Sequence, residues 1–410
     1  MANVILTPSV IAKEALMQLE NNLVMANNVH KEYKKEFVKV GQTVSIRTPV
    51  KFYTADGANR VNQDVEEGNT SITVDQRKHV SWKFSTQDLT LSIEEYSARY
   101  IKPAMVTLAN TVDQSLAGLY RYVWNAVGTP GTTPANYDAV AAVGQRMDEM
   151  AVPTDGERKL VLNPAAGYKI AGTATALYMQ QVAQDAYRNG SIGEIAGLET
   201  FKSTNVRTHT VGTKAGTPLV NGANQGVTYA AVKSSYQQTL VTDGWTAGSA
   251  VLKAGDVFTI AGVYAVNPVP GEGSTGKTVL PYLQQFVVQG DVSADGGGAA
   301  SLTISPPIIT SGPYQTVTAA PADNAAITVL GTASTAYPQN LAFHRNAFAL
   351  VTVPLEMPDG ASFKARESAN GLSVRVVKDY DINADEDIIR LDILFGRKAI
   401  YPDLACRLVG

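Results

Sequence analysis

At 410 residues, 45% hydrophobic, 17% charged and with a net charge of −3, the chain is long enough for two or three domain-sized units and lacks the basic surplus of a phosphate-gripping protein. A single cysteine, Cys406, excludes an intrachain disulfide, and no apolar run approaches the roughly 18–20 residues of a membrane span. Low charge with plentiful Thr, Val and Gly points to extensive strand and to surface covered by protein rather than water.

The opening MANVILTPSVIAKEAL has neither the basic nor the apolar region of a secretion signal, which predicts a protein made in the cytoplasm of its producing cell. Thr7-Pro8 is a helix start, and Ile11, Ala15, Leu19 and Leu23 recur every four residues, predicting an amphipathic helix to about residue 30. The His30–Lys35 charge run reads as a solvated helix end. Residues 43–54 and 71–84 alternate as strands around the polar tip ADGANRVNQDVEEGN. A lone two-stranded ribbon is marginal in water, so both this arm and the first helix are expected to gain cover from another subunit. Arg60, Asp64, Glu66 and Glu67 at the arm tip sit in an exposed loop rather than a cleft, so they read as intersubunit contacts and not catalytic carboxylates.

Ser92 and Glu95 form a capping box, and after Lys102-Pro103 the residues Met105, Leu108, Val112, Leu116, Leu119 and Val123 step by three and four. This predicts a long apolar-striped helix near 93–124. Beyond a Gly/Thr/Pro linker come a helix opened by Asp138, a short strand at Lys159, a helix after Asn163-Pro164, and a third helical stretch carrying Leu177, Met179 and Val182. The Gly-rich GSIGEIAGLETFKSTNV (190–206) follows. NLAFHRNAFALVTVPL (340–355) reads as helix-like, and SVRVVKDYDINADEDIIRLDILFG (373–396) as paired strands. Between them, residues 208–337 change texture. Short apolar runs such as VTYAAV, AVLKAGDVFTIAGVYAV, QQFVVQGDV, SLTISPPII and QTVTAA are separated by Gly, Asp, Asn and Pro. So long a stretch must carry structure of its own, and the pattern predicts a small β-barrel or sandwich inserted into an α+β domain.

Three local motifs invite chemistry. Gly271–Thr278 is a literal GxxxxGK[ST], but Pro268 and Pro270 break the approach and Pro281 opposes the helix a phosphate loop needs, so it reads as a hairpin tip. Asp291, Ser293 and Asp295 resemble the start of a calcium loop whose twelfth position is Leu302, not Glu. His30, His79, His209 and His344 have no metal-pair spacing, and no cofactor is implied.

Taken in order, Asn163-Pro164 with Tyr168, GSIGEIAG, NLAFHRNAFAL and the closing DYDINADEDIIRLDILFGRKAIYPDLACRL (379–408) resemble the tailed-bacteriophage major capsid (coat) proteins of the Hong Kong 97-type fold. They resemble in particular the short-tailed Salmonella-phage type, which carries an inserted β-barrel domain. The resemblance implies an N-terminal arm (1–40), an extended β-loop (41–85), a peripheral domain with a spine helix (86–130) and a first axial segment (131–207). It further implies the inserted β-barrel (208–337), a second axial segment (338–355) and peripheral strands (356–410). It implies a non-enzymatic subunit that self-assembles as hexamers and pentamers into an icosahedral virion shell in the host bacterial cytoplasm. A scaffolding protein, a portal protein and enclosed double-stranded DNA are its implied partners, with no membrane. A tail-tube or decoration protein and a P-loop nucleotide-binding protein are the competing readings.

Overall fold

The computed structural model describes residues 8–31, 43–55, 57–63, 65–85, 100–174, 193–270, 277–361, 363–382 and 386–410. The chain divides into two compact units. The predicted capping box at Ser92 and the helical stretch at 177–182 lie outside the described residues.

The first unit combines residues 1–45, 71–116 and 348–398. Its sheet is built from β3 (Gln76–Ser85), β18 (Phe348–Thr352), β19 (Phe363–Ala369), β20 (Leu372–Asp381) and β21 (Glu386–Ala399). β20 and β21 form a long antiparallel hairpin, with β19 on the far edge of β20 and β3 along β21. Helix α1 (Pro8–Asn22) lies on β19 and β20 and buries Ile11, Ala12, Ala15, Leu16 and Leu19. Burial of each large aliphatic among these is worth about 1.5–3 kcal/mol. This corrects the expectation of a helix waiting for a neighbour: its apolar stripe is satisfied within its own chain, and it ends at Asn22 rather than near residue 30. The chain then turns, and Asp113 of helix α2 (Lys102–Ala117) receives the amides of Val24 (2.7 Å), Met25 (3.3 Å) and Ala26 (3.1 Å). Burial raises the Asp113 pKa, and those three bonds only partly oppose it. Helix α2 buries Met105, Leu108, Val112 and Leu116 as its stripe requires. It stops at Ala117, and Gly118–Tyr122 tighten into a 3-10 turn, so the helix is shorter than the stripe suggested.

The second unit combines residues 46–70, 117–347 and 399–410. One sheet contains β4 (Ala126–Val127), β5 (Arg158–Leu162), β6 (Glu194–Ile195), β7 (Leu198–Lys202), β17 (Ala336–His344) and β22 (Ala405–Val409), with β8 (Thr208–Thr210) paired to β17. Helices α3 (Tyr137–Glu149) and α4 (Pro164–Ala174) share its apolar core, in which Val143, Met147, Leu160, Ile170, Ala342 and Cys406 are buried. Asn136 and Asn163 cap these helices by accepting the amides of Ala139 and Ala166. The run 340–355 is therefore not helix. It is the end of β17, one 3-10 turn (Arg345–Ala347) and then β18. Residues 339–344 and 348–352 are buried on both faces, and a continuous apolar run has no period to separate strand from helix.

The inserted block holds β9 (Gly216–Val220), β10 (Gln238–Trp245), β12 (Val257–Pro270), β13 (Lys277–Val288), β15 (Ala300–Ser305) and β16 (Ile327–Val329), hydrogen-bonded in the order β16-β12-β13-β15-β10-β9. The two ends of that order approach each other. Leu219 bridges Ala326, and the Val220 amide donates to the Ala325 carbonyl at 3.0 Å. Phe258, Phe286, Leu240, Leu302 and Ile304 fill the interior. VTYAAV is a single helical turn (Tyr229–Val232), and QTVTAA contributes only a bridge between Val317 and Ala265.

Candidate subunit-contact surface

Residues 48–68 leave the short sheet of β1 (Thr43–Arg47) and β2 (Asn69–Thr73) as a two-limbed ribbon. At its base the Thr48 amide donates to the Gly68 carbonyl at 2.9 Å. A Cβ on Gly68 would lie 2.2 Å from the Lys233 carbonyl oxygen, so only glycine permits this approach to the inserted block. Tyr314 staples the limbs together. Its hydroxyl accepts the Lys51 amide at 3.0 Å and donates to the Glu66 carbonyl at 3.3 Å, while its ring stacks on Tyr229 with centroids 3.5 Å apart. Further out, the Gln63 side chain accepts the Tyr53 amide (3.0 Å) and donates to the Tyr53 carbonyl (2.6 Å). The limbs beyond β1 and β2 are thus tied by side chains rather than by a ladder.

Lys277 sits beside this staple. It is buried, its Nζ donates to the Gln315 carbonyl at 2.9 Å, and desolvation lowers its pKa to about 7. The glycines of the phosphate-loop motif lie outside the described residues, but its Lys277 and Thr278 begin β13, with Lys277 paired to Pro270 of β12. A strand therefore stands where that motif needs a helix N-terminus, and Pro270 ends a strand rather than interrupting one.

Of the four arm residues singled out in the sequence, Arg60 is exposed and Glu67 pairs with Arg47 of β1 at 3.3 Å. Glu66 is half-buried and engages Tyr314 through its backbone; Asp64 lies outside the described residues. What the pattern reading missed is apolar: Phe52, Val61 and Val65 stand exposed on the ribbon. Their spacing in a polar loop carries no periodicity, so only exposure reveals them.

The other polar groupings serve the interior. His209 Nε2 meets the buried Asp256 carboxylate at 2.7 Å; a carboxylate only accepts, so Nε2 carries the proton and Nδ1 accepts from the Tyr120 hydroxyl at 3.0 Å. His344, buried in β17 rather than in a helix, donates to Asp155. Asp295 accepts the amides of Gly297 and Ala299, closing a turn. Among the described residues no cluster of His, Cys, Asp and Glu could hold a metal ion, and no helix is long and apolar enough to cross a membrane.

An α+β chain with a stapled ribbon that presents apolar side chains to solvent has the surface of a self-assembling structural subunit. Residues 2–410 match the family model described as P22 coat protein, gene protein 5, and the chain belongs to that family: it is a phage major capsid protein. A major capsid protein of Acyrthosiphon pisum secondary endosymbiont phage 1 is 24% identical over 291 residues, spanning 70% of this chain and 68% of that protein. Among solved structures, a chain of Mycobacterium phage Che8 aligns at TM-score 0.49 and 15% identity, over 94% of this chain and 90% of that one. A chain from the capsid of Ralstonia phage GP4 aligns at TM-score 0.44 and 9% identity, over 91% and 83%.

Proposed function

We propose that this coat protein has the Hong Kong 97-type capsid fold, with residues 208–337 as a small inserted β-barrel, and that its copies close as hexamers and pentamers into an icosahedral shell around phage double-stranded DNA. The observation that carries the reading is the family match along essentially the whole chain. The barrel is supported by the six-strand order whose ends meet at Leu219 and Ala326. On this reading residues 1–40 are the N-terminal arm, 41–85 the extended loop, 86–130 and 356–410 the peripheral domain, and 131–207 with 338–355 the axial domain.

The role is structural rather than enzymatic, and it needs no cofactor. Arg60, Asp64, Glu66 and Glu67 meet adjoining copies as rim charges around an apolar contact. Weak contacts suit such a shell. One contact with a dissociation constant of about 1 mM is worth about 4 kcal/mol, so several per subunit hold the particle while each stays reversible. A scaffolding protein and a portal protein are the expected partners in the host bacterial cytoplasm, and the finished protein resides in the virion. The slight negative charge of the chain suits a wall that confines DNA without gripping it.

Negative-stain microscopy of purified protein, with and without a scaffold, tests this. Closed shells, capsomers or tubes are expected. Monodisperse small oligomers under every assembly condition would overturn it.

A further inference from the structure

We infer that the buried edge of Arg407 formed by Nε and Nη2 is a binding site for one small monovalent anion, of which chloride is the common example. The site belongs to the single chain and does not depend on shell formation.

Arg407 is the largest of the fully buried side chains, at 1% exposure. Strand pairing fixes its place. β22 runs between β4 and β17, with Arg407 opposite Ala126 and Leu341, and its amide donates to the Asn125 carbonyl at 2.8 Å. Its Nη1 donates to the Gly255 carbonyl at 2.7 Å, in the turn before β12, and the guanidinium carbon lies 5.2 Å from the centroid of the Tyr120 ring. Gly255 has φ +101°, and a Cβ there would lie 3.0 Å from the Arg121 Cβ, so the turn that presents this carbonyl needs glycine. On the other edge Nε and Nη2 are shut off from solvent and meet no acceptor among the described residues. Burial draws the guanidinium pKa down to about 10, so the group is still charged at neutral pH. A buried, charged pair of donors left without a partner is strongly unfavourable.

The nearest acceptors are already used. Asp256 Oδ1 accepts from His209 Nε2 at 2.7 Å, and its Oδ2 accepts the amides of Gly212 (3.0 Å) and Lys253 (2.7 Å). The Tyr120 hydroxyl donates to His209 Nδ1 at 3.0 Å. Local charge also favours a negative guest: the charged side chains that act on the Tyr120 hydroxyl are Arg407, Arg121 and Arg207 against Asp256. The Nε–H and Nη2–H bonds of a guanidinium point the same way, a fork that holds one halide or two oxygens of a planar oxyanion. A single negative charge matches Arg407 and leaves the Asp256–His209 pair undisturbed. A divalent anion would bring a second charge into a site closed to water, with no cation of its own.

Bromide reads the site directly, because it scatters anomalously at its absorption edge. Crystals of the unmodified protein grown in sodium bromide should show an anomalous peak against the Arg407 Nε–Nη2 edge. In solution, urea midpoints in sodium chloride and in sodium gluconate at equal ionic strength should differ, and the chloride effect should saturate. A site half-filled at about 10 mM raises the folding equilibrium constant roughly tenfold at about 0.1 M chloride. Arg407→Lys keeps the charge but loses the fork, and should abolish the difference between the two salts. Density for an ordered water only, with no anomalous peak, overturns the site, as does an equal chloride effect in Arg407→Lys. The bromide map uses the unmodified chain, so it decides the question even if Arg407→Lys does not fold. Either failure leaves the shell-forming reading intact.

Discussion

The six-stranded block at 208–337, a closed ring on the reading proposed above, and the ribbon at 48–68 are both built of strands, yet they treat their edges in opposite ways. In the ring each of the six strands finds neighbours, and Phe258, Phe286 and Ile304 are shut inside. The ribbon has two limbs, a buried base at Val44, Ile46 and Ile72, and, farther out among the described residues, the Gln63 and Tyr314 ties. On the proposed barrel reading, closure at Leu219 and Ala326 removes edges and lets a small β structure hold itself. An open two-stranded ribbon cannot bury both faces, and Phe52, Val61 and Val65 stay exposed on it. Self-sufficiency here follows from topology, not from composition.

That contrast can be broken first in the ring. Phe258→Ala deletes a fully buried ring packed 5.7 Å from Phe286 and should cost about 3–5 kcal/mol, read by urea denaturation of unassembled protein. A cost below about 1 kcal/mol would mean the ring does not stand on its interior.

Next comes the rim where ring and ribbon meet. Lys277 has its folded pKa lowered to about 7, whereas the unfolded chain holds that proton to about 10.4. Between those values the unfolded state binds more protons, so this group makes stability rise with pH from about 7 to about 10. Below 7 both states are charged and its contribution is flat, at its least favourable. Lys277→Met should remove that rise and stabilise the protein at neutral pH by on the order of a few kcal/mol. Urea midpoints measured at pH 7 and pH 9.5 for both proteins decide it, and an unchanged slope would refute the assignment.

Smaller effects sharpen the ribbon's side of the comparison. Tyr314→Phe keeps the stack on Tyr229 but loses the hydroxyl between Lys51 and Glu66, at about 1 kcal/mol. Hydrogen exchange should quicken at the Lys51 amide while the ring's amides stay protected; equal protection at Lys51 would show the staple is dispensable. Glu67→Gln opens an exposed pair with Arg47 and should change stability by less than about 0.5 kcal/mol. A loss above about 1 kcal/mol would show that the pair is not merely a surface contact.

Much of this was legible without coordinates, because it depends on neighbours along the chain. Pro8 and Asn163 start helices where local chemistry says they should, the helix read as opening at Asp138 begins one residue earlier under an Asn136 cap, and Asp295 makes the turn that its Gly-rich surroundings suggest. The change of texture at 208–337 marked a β-rich block, and Pro281 rightly argued against a helix after Lys277. Of the arm's charged residues, Arg60 and Glu67 are exposed as their polar surroundings suggest, whereas the pairing of Glu67 with Arg47 and the exposure of Phe52, Val61 and Val65 carry no local signature.

Long-range contacts settled the rest. Residues 340–352 are strand because β5 and β22 flank β17 and bury it on both sides, which an unbroken apolar run cannot announce. Helix α1 lies on β19 and β20, more than three hundred residues along the chain, so its stripe could not name its own cover. The meeting of Leu219 with Ala326 likewise depends on every strand between them. Caps, turns and amphipathic periods are written in free energies of a few adjacent residues; which faces meet is settled by burial summed over the whole chain.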